Sequence, residues 1–359
     1  MSDDGIVDIH IGTKRGLFIA RSDRARDKWR ILTPRLVGHE VYHTSLDPHS
    51  GRIFAATRHK VWGAHIRFSD DNGETWDVLP AAPHHDDGRG VTAIWCVTPG
   101  PPSRPGLLYA GIEPAGLFVS DDGGTTWHAS SLNAHPTTSA WQPAGGALAL
   151  HSIVVDPFDP ERVWCAVSAG GVYRTADGGA TWEPVNAGVR ADFLVRESPD
   201  AGHCVHKLRA HPRWPGRLYQ QNHCGTWRSD DGGTSWIEIT SNLPTDYGYN
   251  LALDPADPDV AYVIPEESSH MRTTAGGKLR VYRTRDAGKS WEPLTDGLPQ
   301  RDAYVSMLRE AMDSDTLDPV GICFGTSGGH VFFSRDQGET WTLVTQWLPR
   351  IISIGFTIR

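Results

Sequence analysis

The sequence of 359 residues contains no apolar run approaching the roughly 18 residues that a membrane-spanning helix needs. Its opening, MSDDGIVDIHIGTKRG, has no basic stretch followed by an apolar one, so no secretory signal is expected. Cysteine is sparse. The five residues, Cys96, Cys165, Cys204, Cys224 and Cys323, are odd in number and form no Cys-x-x-Cys pair. That usage argues against a disulfide framework and fits free thiols in a reducing cytoplasm, which is the expected location. Positive charge is also short: 34 basic residues face 43 acidic ones, for a net charge of −9. Neither nucleic acid nor an anionic membrane is an expected partner. Helix is expected to be scarce, because 38 glycines and 25 prolines interrupt the chain every few residues.

What the chain has in quantity is one octet. SDDGGTSW at 229–236 returns as SDDNGETW (69–76), SDDGGTTW (120–127), TADGGATW (175–182), TRDAGKSW (284–291) and SRDQGETW (334–341), with a worn copy, SDRARDKW, at 22–29. The closing tryptophans, from Trp29 to Trp341, are separated by 47, 51, 55, 54, 55 and 50 residues. Seven copies at a period near fifty match four-stranded propeller blades. Each octet follows a short β-type run such as GLFVSD or GVYRTA. In most units an apolar run and a Pro-rich turn come earlier, as in HSIVVDPFDPERVWCAV. The unit reads as four short strands bounded by turn residues.

The expected fold is therefore all-β, a seven-bladed β-propeller forming a single domain over 1–359. The expected blades are 6–33 plus 351–358, 41–80, 91–132, 148–186, 203–243, 248–297 and 303–348. The N-terminal unit lacks an innermost strand and the C-terminus carries a spare one, IISIGFTI, which is expected to complete the first blade. Completion removes sheet edges that invite aggregation.

The octet resembles the Asp-box, or bacterial neuraminidase repeat, with the pattern Ser/Thr-x-Asp-x-Gly-x-Thr/Ser-Trp. The resemblance covers essentially the whole chain; only the first copy departs, with Arg24 and Arg26 at the aspartate and glycine positions. It implies that each box is a turn between the two outer strands of a blade, far from the functional face. A carboxylate accepting N–H bonds across its own turn and a glycine free to take positive φ fit that role. A calcium loop of the EF-hand type would need a bidentate glutamate at its twelfth position, and no box continues that way.

By analogy with such propellers, function is placed on the loops between blades and between second and third strands. The candidates collected there are the carboxylates Glu40, Glu113 and Glu266 with Arg309 as catalytic groups. The metal ligands expected are His43, His151, His206 and His223, of which three begin inner strands. Imidazoles suit one divalent transition ion: zinc, copper, iron, nickel or manganese. By residue type alone the set resembles the oligogalacturonate lyases, propellers that hold a metal with histidines and a glutamine. His151 and His206 share one position ahead of the following proline, whereas His43 is offset by one. The neighbouring HCVH and QQNHCG also offer Cys204 and Cys224.

Asp boxes invite a sialidase-like reading. Sialidases grip a carboxylate with three arginines, the first in an Arg-Ile-Pro motif, and this chain has RIL, RIF and RII but no Arg-Ile-Pro. A true exo-sialidase is not expected. The expectation is a hydrolase or lyase of glycosyl-hydrolase type acting on a small polar or carbohydrate-like ligand at the channel mouth. The alternative is a non-catalytic scaffold like the Asp-box propellers that assemble photosystem II.

Overall fold

The structure, a computed structural model, describes residues 5–143, 148–194 and 200–359. These residues form seven four-stranded antiparallel sheets, the fold class of a seven-bladed β-propeller. Three short 3-10 turns are the only helical elements among the described residues. Residues group into two compact units: Met1–Val41 with Ile239–Arg359, and Tyr42–Glu238.

The first unit holds blades one, six and seven. Blade one consists of Ile6–Thr13, Gly16–Asp23 and Arg30–Ile31, with Ile351–Ile358 added as its first strand. That C-terminal strand pairs antiparallel with Ile6–Thr13 from Val7↔Ile358 to Thr13↔Ile351, as the spare strand in the sequence implies. Blade six is Ala252–Leu253, Ala261–Val263, Val281–Thr284 and Glu292–Leu294. Blade seven is Met312–Ser314, Ile322–Gly325, Val331–Ser334 and Thr342–Thr345. The β-branched and aromatic residues of these strands face inward; Ile9, Ile11, Tyr262, Phe324 and Phe333 are fully buried.

The second unit holds the other four, except for Glu40 and Val41 at the start of blade two. Blade two is Glu40–Leu46, Ile53–His59, Gly63–Ser69 and Asp77–Val78, and blade three is Ala93–Pro99, Leu108–Glu113, Gly116–Ser120 and His128–Ala129. Blade four is Leu150–Val155, Val163–Val167, Gly171–Thr175 and Glu183–Pro184. Blade five is Val205–Ala210, Leu218–Asn222, Gly225–Ser229 and Ile237–Glu238. Trp164, Tyr173 and Tyr219 are fully buried in this unit.

Each intact octet ties its own turn. In 229–236, Ser229 Oγ donates to Asp231 Oδ1 at 2.8 Å and accepts the Gly233 N–H at 2.8 Å. Asp231 then accepts the Ser235 N–H at 2.9 Å and the Ser235 hydroxyl at 2.6 Å. Asp122 makes the same bonds with Ser120 and Thr126, and the Thr126 N–H first among them holds its carboxyl down at about 2. Trp236 is 5% exposed and reaches across to blade four, donating its indole N–H to the Val185 carbonyl at 2.9 Å. A side chain of this class buries roughly 150–250 Å², worth about 4–6 kcal/mol of transfer free energy.

The worn first copy is built differently. Arg26 stands where other boxes have glycine and keeps positive φ, at 53°. Its guanidinium runs into blade seven, 2.7 Å from Asp315 Oδ2 and 3.0 Å from the Pro319 carbonyl. A buried ion pair takes the place of the carboxylate clasp.

One irregularity positions chemistry. The first strands of blades three, four and five each carry a β-bulge, which leaves Trp95, His151 and His206 outside the pairing register. A bulge re-aims the extra side chain. In blade two, Tyr42 stands six residues before Pro48, the spacing of His151 to Pro157 and of His206 to Pro212. Tyr42 is thus the counterpart of these residues, and its ring meets Trp95 edge-on at 5.1 Å.

Candidate functional site

In the second unit, the bulge on blade five turns His206 toward the chain that enters the blade. Its Nε2 lies 3.5 Å from Cys204 Sγ. Asn222 pairs with Gly225, leaving His223 and Cys224 as the two corner residues of a tight turn, and Gly225 takes φ 127°. The His223 N–H donates to the Cys204 carbonyl at 2.9 Å, which fastens that corner over the entering chain. The His223 ring stands 5.8 Å from that of His206 and is flanked by Phe193 at 5.1 Å. One donor atom each from Cys204, His206 and His223 falls within 4.8 Å of the others. Cys204 and His206 are buried, while His223 keeps partial solvent contact.

The other ligand candidates are placed elsewhere. His151 Nε2 meets the Val205 carbonyl at 2.9 Å, joining blades four and five, and Nδ1 meets Ser152 Oγ of its own strand at 3.0 Å. His43 sits in the wall of a cavity of about 600 Å³, together with Ser45, Thr98, Asp156 and Arg209. Gln221 is absorbed by its own hairpin, donating to the Asn222 and Gly225 carbonyls and accepting from Thr226 Oγ1. Glu113 Oε2 accepts the Trp95 indole N–H at 2.8 Å.

In the first unit, Glu40 pairs with Lys14 at 3.0 Å. Glu266 and Arg309 converge on a second cluster. Glu266 begins a hairpin: its N–H bonds the Tyr247 carbonyl at 2.8 Å, and it bridges to Thr274 across the 267–273 loop. The carboxyl has no solvent exposure. Oε1 accepts the Met307 N–H at 3.0 Å, and Oε2 has no hydrogen-bond partner among the described residues. Burial pushes this carboxyl up to about 7, against the pull of the Met307 N–H and of Arg272 and Arg350. Tyr247 donates to the hydroxyl of Tyr249, and burial drives the Tyr247 hydroxyl well above the usual phenol range. The guanidinium carbons of Arg272 and Arg309 lie 5.9 and 5.8 Å from the Tyr249 ring centre.

The segment Ala303–Met307 leads from Glu266 to a pocket of about 220 Å³ lined by Leu279, Pro299, Asp302, Thr326, His330 and Phe332. Trp347 stands over His330 at 5.9 Å, 81% exposed, in left-handed backbone at φ 67°. A bulky aromatic held there without burial is an outlier of the kind that gathers at binding sites. Tyr247, Tyr249 and Trp347 escaped the sequence reading. The alternation in YGYN and a tryptophan that closes no octet were the available signals.

Fold and site together define an Asp-box β-propeller with aromatic, arginine and carboxyl groups gathered on loops. The BNR/Asp-box repeat model matches residues 118–129 and 332–343. An oligoxyloglucan-reducing end-specific xyloglucanase of Emericella nidulans is 28% identical over 193 residues, 48% of this chain and 23% of that protein. The chain spans about a quarter of the length of the curated relatives it matches first. Among solved structures, the GH74 enzyme of Niastella koreensis superposes with a TM-score of 0.62 at 18% identity, covering 93% of this chain and 52% of that one. A structure described as YCF48 bound to D1 peptide gives 0.55 at 17% identity, covering 84% and 80%. Both likenesses are of fold. No helix among the described residues is long and apolar enough to cross a membrane.

Proposed function

We propose that the protein is a glycoside hydrolase whose reaction centre is the Glu266 cluster, with the pocket lined by His330, against which Trp347 stands, as a sugar subsite. The observation that carries this is Glu266 itself: a carboxyl without solvent, with one oxygen unpartnered among the described residues and a proton retained to about pH 7. Glycosidic cleavage needs a carboxylic acid that is still protonated near neutral pH to donate to the leaving oxygen. The carboxyl is buried, so substrate reaches Oε2 only with local movement around it, and hydrogen bonds to a catalytic acid often tighten only in the complex. Arg272 and Arg309 hold positive charge beside the Tyr249 ring, suited to a substrate bearing many hydroxyls or a carboxylate. Trp347 and the half-exposed Tyr304 offer flat apolar faces to a pyranose ring. The names of the curated relatives, xyloglucanases, point to the same substrate class.

The test is reducing-end release from xyloglucan, other β-glucans and polygalacturonate by the full chain. Glu266→Gln is expected to lower kcat by about a hundredfold or more. The parent rate is expected to fall above pH 7 as the acid loses its proton. Trp347→Ala should raise KM with kcat kept, as for binding shared by ground and transition states. Parental turnover in the Glu266→Gln chain, or no release from any of these glycans, rejects the proposal.

A further inference from the structure

We infer that Cys204, His206 and His223 form a mononuclear site for zinc or a metal of like softness. The site lies in the second unit and is independent of the Glu266 cluster. Zinc binds thiolate at about 2.3 Å and imidazole at about 2.0–2.1 Å, so tetrahedral ligands stand roughly 3.4–3.7 Å apart. The Sγ to Nε2 distance of 3.5 Å between Cys204 and His206 already equals that edge. The third donor lies within 4.8 Å, so about 1 Å of movement by the half-buried His223 closes the set.

The local structure supplies what a metal site requires beyond its ligands. The bulge at His206 aims its ring out of the strand register, toward Cys204. The His223 N–H to Cys204 carbonyl bond fixes two ligand-bearing segments against each other. Phe193 edges onto the His223 ring at 5.1 Å. One thiolate with two imidazoles selects zinc or copper(I) over magnesium, calcium or manganese. Three protein ligands leave a fourth position, and the solvent contact of His223 places it on the water side. That is the open arrangement in which zinc binds a water or an exogenous ligand. On binding, the Cys204 thiol gives its proton to solvent and the two imidazoles bind as neutral rings, so affinity rises with pH.

The experiment uses the full chain, dialysed against chelator and titrated with Co2+ as a spectroscopic probe. Expected are one equivalent bound, a near-ultraviolet thiolate-to-cobalt charge-transfer band with intense tetrahedral visible bands, and displacement of both by one equivalent of Zn2+. Cys204→Ser should remove the charge-transfer band, whereas Cys224→Ser, one residue beyond His223, should keep it. His206→Ala and His223→Ala should each weaken cobalt binding by more than the 10–100-fold that outer-shell changes cost. Melting curves of every variant separate loss of ligation from loss of fold. A folded parent that binds no cobalt, a thiolate band that survives Cys204→Ser, or a band that needs Cys224 overturns the inference. Rapid reaction of Cys204 with a disulfide probe in metal-saturated protein also overturns it, since a ligated thiolate is protected.

Discussion

Glu266 keeps its proton where a solvated glutamate would have lost it, and this has a stability consequence with a definite sign. Its ordinary value of 4.5 becomes about 7 in the fold because burial disfavours the charge. Between these values the native state binds more protons than the unfolded chain. Stability is therefore full below pH 4.5, declines as pH rises to 7, and levels off above. The interval corresponds to about 3 kcal/mol. Glu266→Gln, neutral at every pH, should match the parent near pH 4 and exceed it by up to about 3 kcal/mol at pH 8 in urea unfolding. Equal differences at the two pH values would mean that the carboxyl is solvated. The sequence marks Glu266 as a face carboxylate, because PEES lies in a long loop after a strand. Its burial was not legible, since it involves Met307, whose N–H bonds the carboxyl, and Tyr247, whose carbonyl accepts the Glu266 N–H, both distant in sequence.

At the scale of elements, the octets were legible because each is a local machine whose hydrogen bonds close within five residues. The first copy shows where locality ends. Arg26 occupies a glycine position and its partner Asp315 is 289 residues away, a pairing that no octet pattern announces. Both side chains are almost fully buried, at 5% and 0% exposure. Burial raises the Asp315 carboxyl despite the Gly321 N–H and the Arg26 charge that pull it down. Removing Arg26 leaves that carboxylate buried without its cation, and broken buried pairs cost about 3–5 kcal/mol. Arg26→Ala should lose about that much in chemical denaturation. The Arg26→Ala, Asp315→Asn pair should lose less than the sum of the two single changes. Strict additivity would show that the pair is uncoupled. The bulges follow the same logic. A proline count put His151 and His206 in one class with His43 one residue off, and the structure makes Tyr42 the counterpart. The offset was visible in the sequence, but not that the blade-five bulge would turn His206 toward Cys204.

For the molecule as a whole, the fifty-residue period fixed the number of sheets, and the unmatched run at 351–358 supplied the strand that blade one lacked. What such a period cannot carry is which loops hold chemistry, because loop residues are the part that does not repeat. The closing strand completes blade one. It pairs with Ile6–Thr13 along seven partners, and it packs Ile351, Ile352 and Ile354 at 0%, 3% and 6% exposure. Its backbone also joins blade seven, where the Ile354 N–H donates to the Glu310 carbonyl at 2.7 Å. Burying one such side chain is worth roughly 1.5–3 kcal/mol, so the three together approach the about 5–15 kcal/mol that holds a typical domain folded. Deleting 351–359 also bares the backbone donors and acceptors of Ile6–Thr13, a template for pairing between chains. The truncated protein should show no cooperative calorimetric transition and should elute as aggregate. A peptide of residues 350–359 supplied in excess during refolding should restore part of the transition, because the vacated edge of blade one is its complement. A truncated chain that melts cooperatively within a few degrees of the parent would show that blades six and seven and the remaining strands of blade one hold together without it.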